Sequence, residues 1–456
     1  MAQVFDPLRS GLSSFPRCNP QTYWHETGGA APADEGPLAE HVDTDIVVIG
    51  AGYTGLSCAY FLAQKYGQRV HVLEANQLGW GCSGRNGSFM RPAIGRLWWW
   101  QYVQKYGVEQ AQVLFKHASA AIGTMRELLA LAPFDCDKTS EGWLRVAHNA
   151  EAVQQLRRER ETMARLFNYE VPLLDQAQLA AHGHGGCEAF GALRYPDGFA
   201  AHPLKVVYVL AALAQSAGVK IHTRSPVIGM HMHQGKHRVQ TPLAEVRAEH
   251  LVMATNGYST EHLHPLIKSR LMPVLSSIVV TQPLSPEQRQ QAAFNTTDIV
   301  TDTRRLLCFY RLLPDGRLLL GSRGAITENA KNNERVRTEL LAAIGKKFPA
   351  LKGVQADYFW SGWVALTMDY MPRIYSTTSA MAGEAASAGT ISYAMGYNGS
   401  GTTAAVYCGR LLADHLGGGA AITEVLAGQL PRMPLPALRR WAQRGAFLWY
   451  GWKDRR

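Results

Sequence analysis

The first strong signal along the chain is Asp45-Ile46-Val47-Val48-Ile49, a continuous apolar run suited to a parallel strand buried on both faces. A helical pattern follows over about 53–65, and residues 69–74 read as a second strand. The stretches 101–131 and 150–168 also carry helical periodicity. From 219 to 254 the texture changes to short strands, broken by turns at Gln234-Gly235 and near Pro242. Residues 274–280 and 317–321, joined through Pro314-Asp315-Gly316, predict an antiparallel sheet. Helices return at about 334–348 and 402–416. Ahead of the first strand, residues 1–43 are rich in Pro, Gly, Ser and Ala and read as an arm laid over the surface.

Gly50-Ala51-Gly52-Tyr53-Thr54-Gly55 follows the first strand directly and opens the helix, and that context gives the G-x-G-x-x-G spacing its meaning. Gly50 permits the tight turn, Gly52 admits a pyrophosphate close to the backbone, and Gly55 lets the helix lie against the strand. The helix N-terminus at Tyr53 and Thr54 offers N–H groups and partial positive charge to phosphates. Glu74, followed by Ala75, ends the second strand 19 residues after Gly55. A carboxylate there accepts hydrogen bonds from ribose hydroxyls and repels a 2′-phosphate, which disfavours NADP. The fingerprint alone does not separate FAD from NAD. The loop Gly79-Trp80-Gly81-Cys82-Ser83-Gly84-Arg85-Asn86-Gly87-Ser88 does better, because it can bring several N–H groups to a long ligand crossing the sheet. A nicotinamide enzyme has no evident need of such a loop.

A chain of 456 residues suits two interleaved domains. The elements divide into an arm (1–43), a discontinuous nucleotide domain (44–100, 196–262 and 355–420), a substrate domain (101–195 and 263–354) and a helical tail (421–456). Apolar residues at 46% and charged residues at 18% exclude a disordered or fibrous protein. The net charge of +10 is spread out, and its densest clusters are short: Arg157-Arg158-Glu159-Arg160, Lys346-Lys347, Arg439-Arg440 and Arg455-Arg456. They read as solvated surface whose field attracts anions such as a pyrophosphate. Seven scattered cysteines without a C-x-x-C pair predict free thiols in a reducing compartment. No secretory signal and no membrane-length apolar run is visible, so the expectation is a soluble cytoplasmic protein. No metal is expected, since His231, His233 and His237 flank a hairpin turn with no acidic or thiol partner in that run.

Further segments stand out: Thr22-Tyr23-Trp24; Gly198-Phe199-Ala200-Ala201-His202-Pro203; Ser225-Pro226-Val227; and Val252-Met253-Ala254-Thr255-Asn256-Gly257. Later come Trp360-Ser361-Gly362-Trp363 with Thr367-Met368-Asp369, and then Gly396-Tyr397-Asn398-Gly399-Ser400-Gly401-Thr402. With the 79–88 loop, they resemble the D-amino-acid-oxidase-like superfamily of flavin amine oxidoreductases, and within it the gamma-glutamylputrescine oxidoreductase-like group. The resemblance runs over nearly the whole chain. It implies an α/β fold with a Rossmann-type FAD domain of the glutathione-reductase type, interleaved with an antiparallel-sheet substrate domain. It further implies that Gly81, Ser83, Arg85, Asn86, Gly87 and Ser88 contact flavin and pyrophosphate. Val227 would meet the adenine on a strand, and Ala254, Thr255 and Gly257 would return the chain to the nucleotide. Gly362 would lie beside the isoalloxazine. The turn of Gly396, Gly399, Ser400, Gly401 and Thr402 would aim a helix N-terminus at the flavin N1–C2=O region, where reduced flavin carries negative charge. The place of the flavin-linking cysteine in the sarcosine-oxidase branch falls near Gly362, with no cysteine between Cys308 and Cys408, so noncovalent FAD is expected.

The implied reaction is oxidation of a C–H next to an amine nitrogen, with a hydride passing to flavin N5, hydrolysis of the imine, and reoxidation by O2 to H2O2. The substrate is a small amine or amino acid. Arg304 or Arg305 falls where that branch has an oxygen-activating lysine, which leaves oxidase and dehydrogenase both open. Tyr310 and Arg311 sit on a predicted strand as candidates for binding a carboxylate. Trp98-Trp99-Trp100 reads as packing, or as a channel for an aliphatic amine. Two alternatives stand beside this reading. The aromatic, basic tail is compatible with a quinone-linked dehydrogenase at a membrane surface, and the positive charge with a flavin-bearing RNA-binding protein.

Overall fold

Val42–Ile49 forms the middle of a sheet because its side chains satisfy two cores at once. Ile46 and Val48 point into one core, Val47 and Ile49 into another, and all four are buried. In this computed structural model, which describes residues 5–12, 17–378 and 389–454, the sheet is the dinucleotide-binding one. Residues 1–4 and 13–16 of the predicted arm, 379–388 of the third nucleotide segment and Arg455-Arg456 lie outside the described residues.

From one edge the sheet runs Arg373–Thr378, Thr390–Met395, Glu245–Met253, Val42–Ile49, Val70–Leu73 and Lys220–His222. Every neighbouring pair is parallel except the first. The hairpin Gly229–His233/Lys236–Gln240 joins it through Glu245–Met253, turning at Gln234 and Gly235, both at positive φ. The helix Tyr53–Tyr66 starts beneath the first strand and packs between the helices Pro203–Ser216 and Gly401–Gly418. Ser225-Pro226-Val227, expected as a strand, is an extended connection, with the Ser225 N–H donating to the Glu74 carbonyl.

The second sheet runs Ala356–Leu366, Met272–Thr281, Leu318–Arg323, Phe309–Leu312, Ile299–Asp302, Trp143–Val146, Ala192–Tyr195 and Leu173–Leu174. It is antiparallel except between Ile299–Asp302 and Trp143–Val146, which run parallel. The Pro314-Asp315-Gly316 turn joins Phe309–Leu312 to Leu318–Arg323, and Met272–Thr281 pairs with the latter strand from its other side. The predicted strand that holds Tyr310 and Arg311 is therefore the immediate hairpin partner of Leu318–Arg323, and 274–280 pairs with the latter without being joined through that turn. Ala356–Leu366, expected with the nucleotide segments, joins this second sheet. The sheet face carrying Phe309, Gly321 and Arg323 looks toward the nucleotide domain: Phe309 packs on Phe89, and a Cβ on Gly87 would meet it at 2.6 Å.

Two expectations of solvated surface are overturned, and the arm, largely exposed, is anchored in the core. Its Phe5, Tyr23, Trp24 and Leu38 are buried, with Trp24 Nε1 donating to the Asn86 carbonyl at 2.9 Å. Glu159, inside the 157–160 charge cluster, is fully buried and accepts the N–H groups of Trp99 and Trp100. Lys347 is also buried, because Asp302 at 2.9 Å and Glu188 at 3.2 Å compensate its charge. Arg304 completes this cluster by pairing with Glu188 and Asp302, tying the end of the helix Ala330–Lys347 to the second sheet.

Burial alone would raise the Glu188 pKa, but Lys347, Lys346 and Arg304 outweigh it and hold the carboxyl at about 2. Asp302 is likewise held below its ordinary value by Lys347 and Arg304, against the effect of burial. Depressed carboxyls contribute stability that is full above the unfolded value of 4.5 and lost as pH falls toward 2. Chemical denaturation across that window should therefore show Glu188→Gln losing much less stability on acidification than the parent. Parallel acid limbs would contradict the assignment.

Candidate active site

Two backbone contacts make the nucleotide cavity. Gly50 turns at φ +104°, a conformation that favours glycine, and a Cβ on Gly55 would lie 1.9 Å from the Gly50 carbonyl oxygen. The helix thus starts against the strand end, and Ser83 Oγ accepts the Tyr53 N–H at 3.0 Å, bringing the 79–88 loop alongside. Glu74 closes the far wall: its carboxylate accepts the N–H groups of Ala51 and Asn76, both at 3.0 Å, while burial raises its pKa.

The cavity, about 200 Å3 in volume, is lined by Gly50, Gly52, Tyr53, Thr54, Glu74 and Ala75, and by Gly81, Ser83 and Asn86 from the loop. Val227, Ala254, Thr255 and Gly257 line it further, and Gly399, Gly401 and Thr402 form its other end. These predicted residues are brought together. The rest support the wall from behind. Arg85 donates to the carbonyls of Trp80 and Ser361, fastening the loop to Ala356–Leu366, and Gly362 lies against Arg85. Gly87 lies under Phe309, Ser88 Oγ accepts the Ala201 N–H, and Gly396 packs against Thr367. Ser400 faces a second cavity.

That second, inner cavity, about 80 Å3, meets the first at Gly399 and is walled by Trp99, Tyr102, Trp143 and Tyr195. Arg91, Arg96, Arg145 and Arg323 enter it, with Glu159 beside Arg145. It shares Arg96, Leu97, Arg145, Asp302 and Leu307 with an outer vestibule of about 700 Å3, over which Tyr450, Lys453 and Asp454 of the C-terminal segment lie.

The expected catalytic residues are not on the inner wall. Tyr310 points into the second core, its hydroxyl 2.8 Å from His184 Nε2, because alternate residues of Phe309–Leu312 face opposite sides. Arg311 is buried beneath the Trp24 ring, where the arm covers it. Arg305 is exposed on the vestibule, its guanidinium over Trp449 and its N–H donated to Asp454. Arg304 is committed to Asp302 and Glu188. Of the tryptophan run, Trp99 packs among Tyr102, Phe115 and Phe167, while Trp98 and Trp100 carry Arg145 and Arg158 on their faces. Sequence reasoning missed Arg91, Arg96, Arg145, Glu159 and Arg323. The one signal for Arg323 was its position two residues after Gly321 at the end of an apolar strand.

A dinucleotide cavity opening into a small walled chamber beneath a second sheet defines a nucleotide-dependent oxidoreductase. The chain belongs to the FAD dependent oxidoreductase (DAO) family, whose profile matches residues 45–415. It is 32% identical to the gamma-glutamylputrescine oxidoreductase of Escherichia coli K12, across 90% of this chain and 91% of that one. Among solved structures it is similar to L-amino acid deaminase from Proteus vulgaris, with TM-score 0.67, 20% identity and coverage of 90% and 98%. Glycine oxidase from Geobacillus kaustophilus gives TM-score 0.66 and 18% identity, covering 84% and 96%. FAD is the cofactor, and noncovalent binding is typical of the family. The residues present fit it: a glycine-shaped cradle at the helix N-terminus, and a cavity that continues past the loop as far as Gly399. No helix among the described residues is long and apolar enough to cross a membrane.

Gly55→Ala places a methyl group where the Gly50 carbonyl already stands. Such overpacking costs about 1–3 kcal/mol, and here it must push the helix N-terminus off the strand. The purified variant should carry less than half the flavin per chain of the parent, read from the visible absorption of the bound and released cofactor. Full flavin content in the variant would refute the tight-approach argument.

Proposed function

We propose that the chain oxidises an amine or amino acid at the C–H next to nitrogen, giving an imine that is hydrolysed to a carbonyl compound and the freed amine. The observation that carries this reading is the junction at Gly399, where the inner cavity meets the end of the nucleotide cavity. A small molecule held there abuts the far end of a bound dinucleotide. When bound, FAD supplies a two-electron acceptor at N5 and, with O2, a route to H2O2. The protein's own contribution is positional. Trp99, Tyr102, Trp143 and Tyr195 exclude water from the chamber, and the surrounding guanidiniums favour an amine that arrives unprotonated. The relative named gamma-glutamylputrescine oxidoreductase and the amino-acid enzymes among the structural neighbours support the same class of substrate.

A second reading concerns where the electrons go. The helix Arg439–Lys453 packs through Arg439, Arg440 and Gln443 but leaves Trp441 67% and Leu448 76% exposed. With Arg444 beside Trp441, this face favours contact with a membrane surface and a quinone acceptor. The RNA-binding alternative loses part of its motive, because several of the positive charges behind it are turned into the inner cavity.

Anaerobic titration of the holoenzyme with a panel of amines and amino acids should bleach the flavin with one class of compound. Rapid return of colour in air with about one H2O2 per turnover is the expected outcome for a cytoplasmic oxidase. Slow return in air that added quinone accelerates would instead establish the dehydrogenase. A yellow protein that no amine bleaches would remove the proposal.

A further inference from the structure

The inner cavity has an imbalance of charge that neither the fold nor the flavin site uses. Its two carboxylates are committed: Asp302 to Lys347 and Arg304, and Glu159 to Arg145 at 3.8 Å and the N–H groups of Trp99 and Trp100. Arg91 and Arg323 face no carboxylate of their own among the described residues, and Arg96 pairs with none: Asp454, the carboxylate that acts on it across the vestibule, accepts the N–H groups of Arg305 and Leu306. The hydrogen bonds of these three arginines are few and go to neutral groups. Arg91 donates to Ser400 Oγ at 3.2 Å, Arg96 to the Arg305 carbonyl at 2.8 Å, and Arg323 to the Asn398 carbonyl at 3.4 Å, with Arg323 Nη1 left unpartnered. Each guanidinium has several more N–H donors than these bonds occupy.

Enclosure makes the imbalance costly. Like charges repel more strongly among aromatic walls than in water. Burial first, then the neighbouring guanidiniums, lowers the pKa of Arg323, and the same causes bring Arg91 down to about 10. Ser400 also opens the 18-residue helix Gly401–Gly418, whose N-terminus adds partial positive charge in the same corner. A bound anion relieves all of this at once, and planar guanidiniums suit carboxylates in particular.

The three arginines stand at two places. Arg91 and Arg323 flank Ser400 and Gly399, where the chamber meets the nucleotide cavity; a Cβ on Gly399 would lie 2.4 Å from Arg323 Nη2. Arg96 stands at the throat, lining chamber and vestibule alike. One carboxylate at the inner pair leaves the throat uncompensated. We propose that the chamber takes a small ligand with two acidic groups, one on Arg91 and Arg323 and one on Arg96. Given the amine-oxidation reading, on which its role as substrate rests, that ligand is an amine dicarboxylate. Arg158, Arg305 and Lys453 on the vestibule draw such an anion inward.

The test separates binding from turnover. Malonate, succinate and glutarate, with propionate, butyrate and valerate as monocarboxylate controls, are titrated into the oxidised holoenzyme and read by perturbation of the flavin spectrum. The best dicarboxylate should bind about tenfold more tightly than any monocarboxylate. In Arg96→Gln and in Arg323→Gln that ratio should fall toward one, which a general loosening of the fold would not produce. Should either variant fail to hold flavin, the ratio in the parent protein decides alone. Equal affinities in the parent, or an unchanged ratio in both variants, overturn the proposal. In parallel, aspartate and glutamate should bleach the flavin faster than alanine and norvaline. Dicarboxylate preference with no bleaching by any amine would remove amine oxidation and leave the dianion site. Bleaching by neutral amines without dicarboxylate preference would do the reverse.

Discussion

The approach of the helix Tyr53–Tyr66 to the first strand, with Gly55 in contact with the Gly50 carbonyl, is the constraint on which the other parts of the site depend. It fixes the helix N-terminus at the strand end, and Ser83 then holds the 79–88 loop through the Tyr53 N–H. That loop is in turn the meeting point of the molecule. Arg85 fastens it to the second sheet, Trp24 of the arm donates to Asn86, and Ser88 receives the Ala201 N–H at the foot of the helix Pro203–Ser216. Through Arg85 the second sheet is tied to the loop that walls the cavity.

Charge is organised around the same centre. A chain with a net charge of +10 ordinarily keeps its cations in water. Here Lys347 and Arg304 are neutralised by Glu188 and Asp302, whereas Arg91, Arg96 and Arg323 are turned inward without such partners. The first group acts as a structural tie and the second as an uncompensated field. Arg145 has an intermediate position, sharing Glu159 with the start of the helix Trp99–Ala130.

The nucleotide half of this site was legible in the sequence because backbone geometry makes it. Glycines at 50, 52 and 55, a carboxylate at the end of the second strand and a Gly-rich loop leave a mark in residue type and spacing, and most of the residues so marked line the cavity. The family resemblance added the segments at 254–257 and 396–402, which spacing alone would not have assigned. The arm lies over the surface, but its Pro, Gly and Ser content conceals four buried apolar anchors, Phe5, Tyr23, Trp24 and Leu38.

The substrate half was not legible, for a physical reason. Tyr310 and Arg311 belong to a strand whose residues alternate between two faces, and sequence does not say which face looks at the nucleotide domain. Both faces of this sheet are covered, one by the second core and the other by the arm and the nucleotide domain, so an inward-facing arginine has no apolar-versus-polar signature to betray it. Arg323 faces the chamber because its register pairs it with Ser276 and sets it on the side of Gly321 and Phe309, a long-range fact of the sheet. Arg91 and Glu159 come from a loop and a helix more than sixty residues apart, and reach one cavity only after the second sheet has closed over it. Sites built from backbone conformation are written locally. Sites built from converging side chains are written in the packing, and packing is what decides which of this chain's many arginines face the inner cavity.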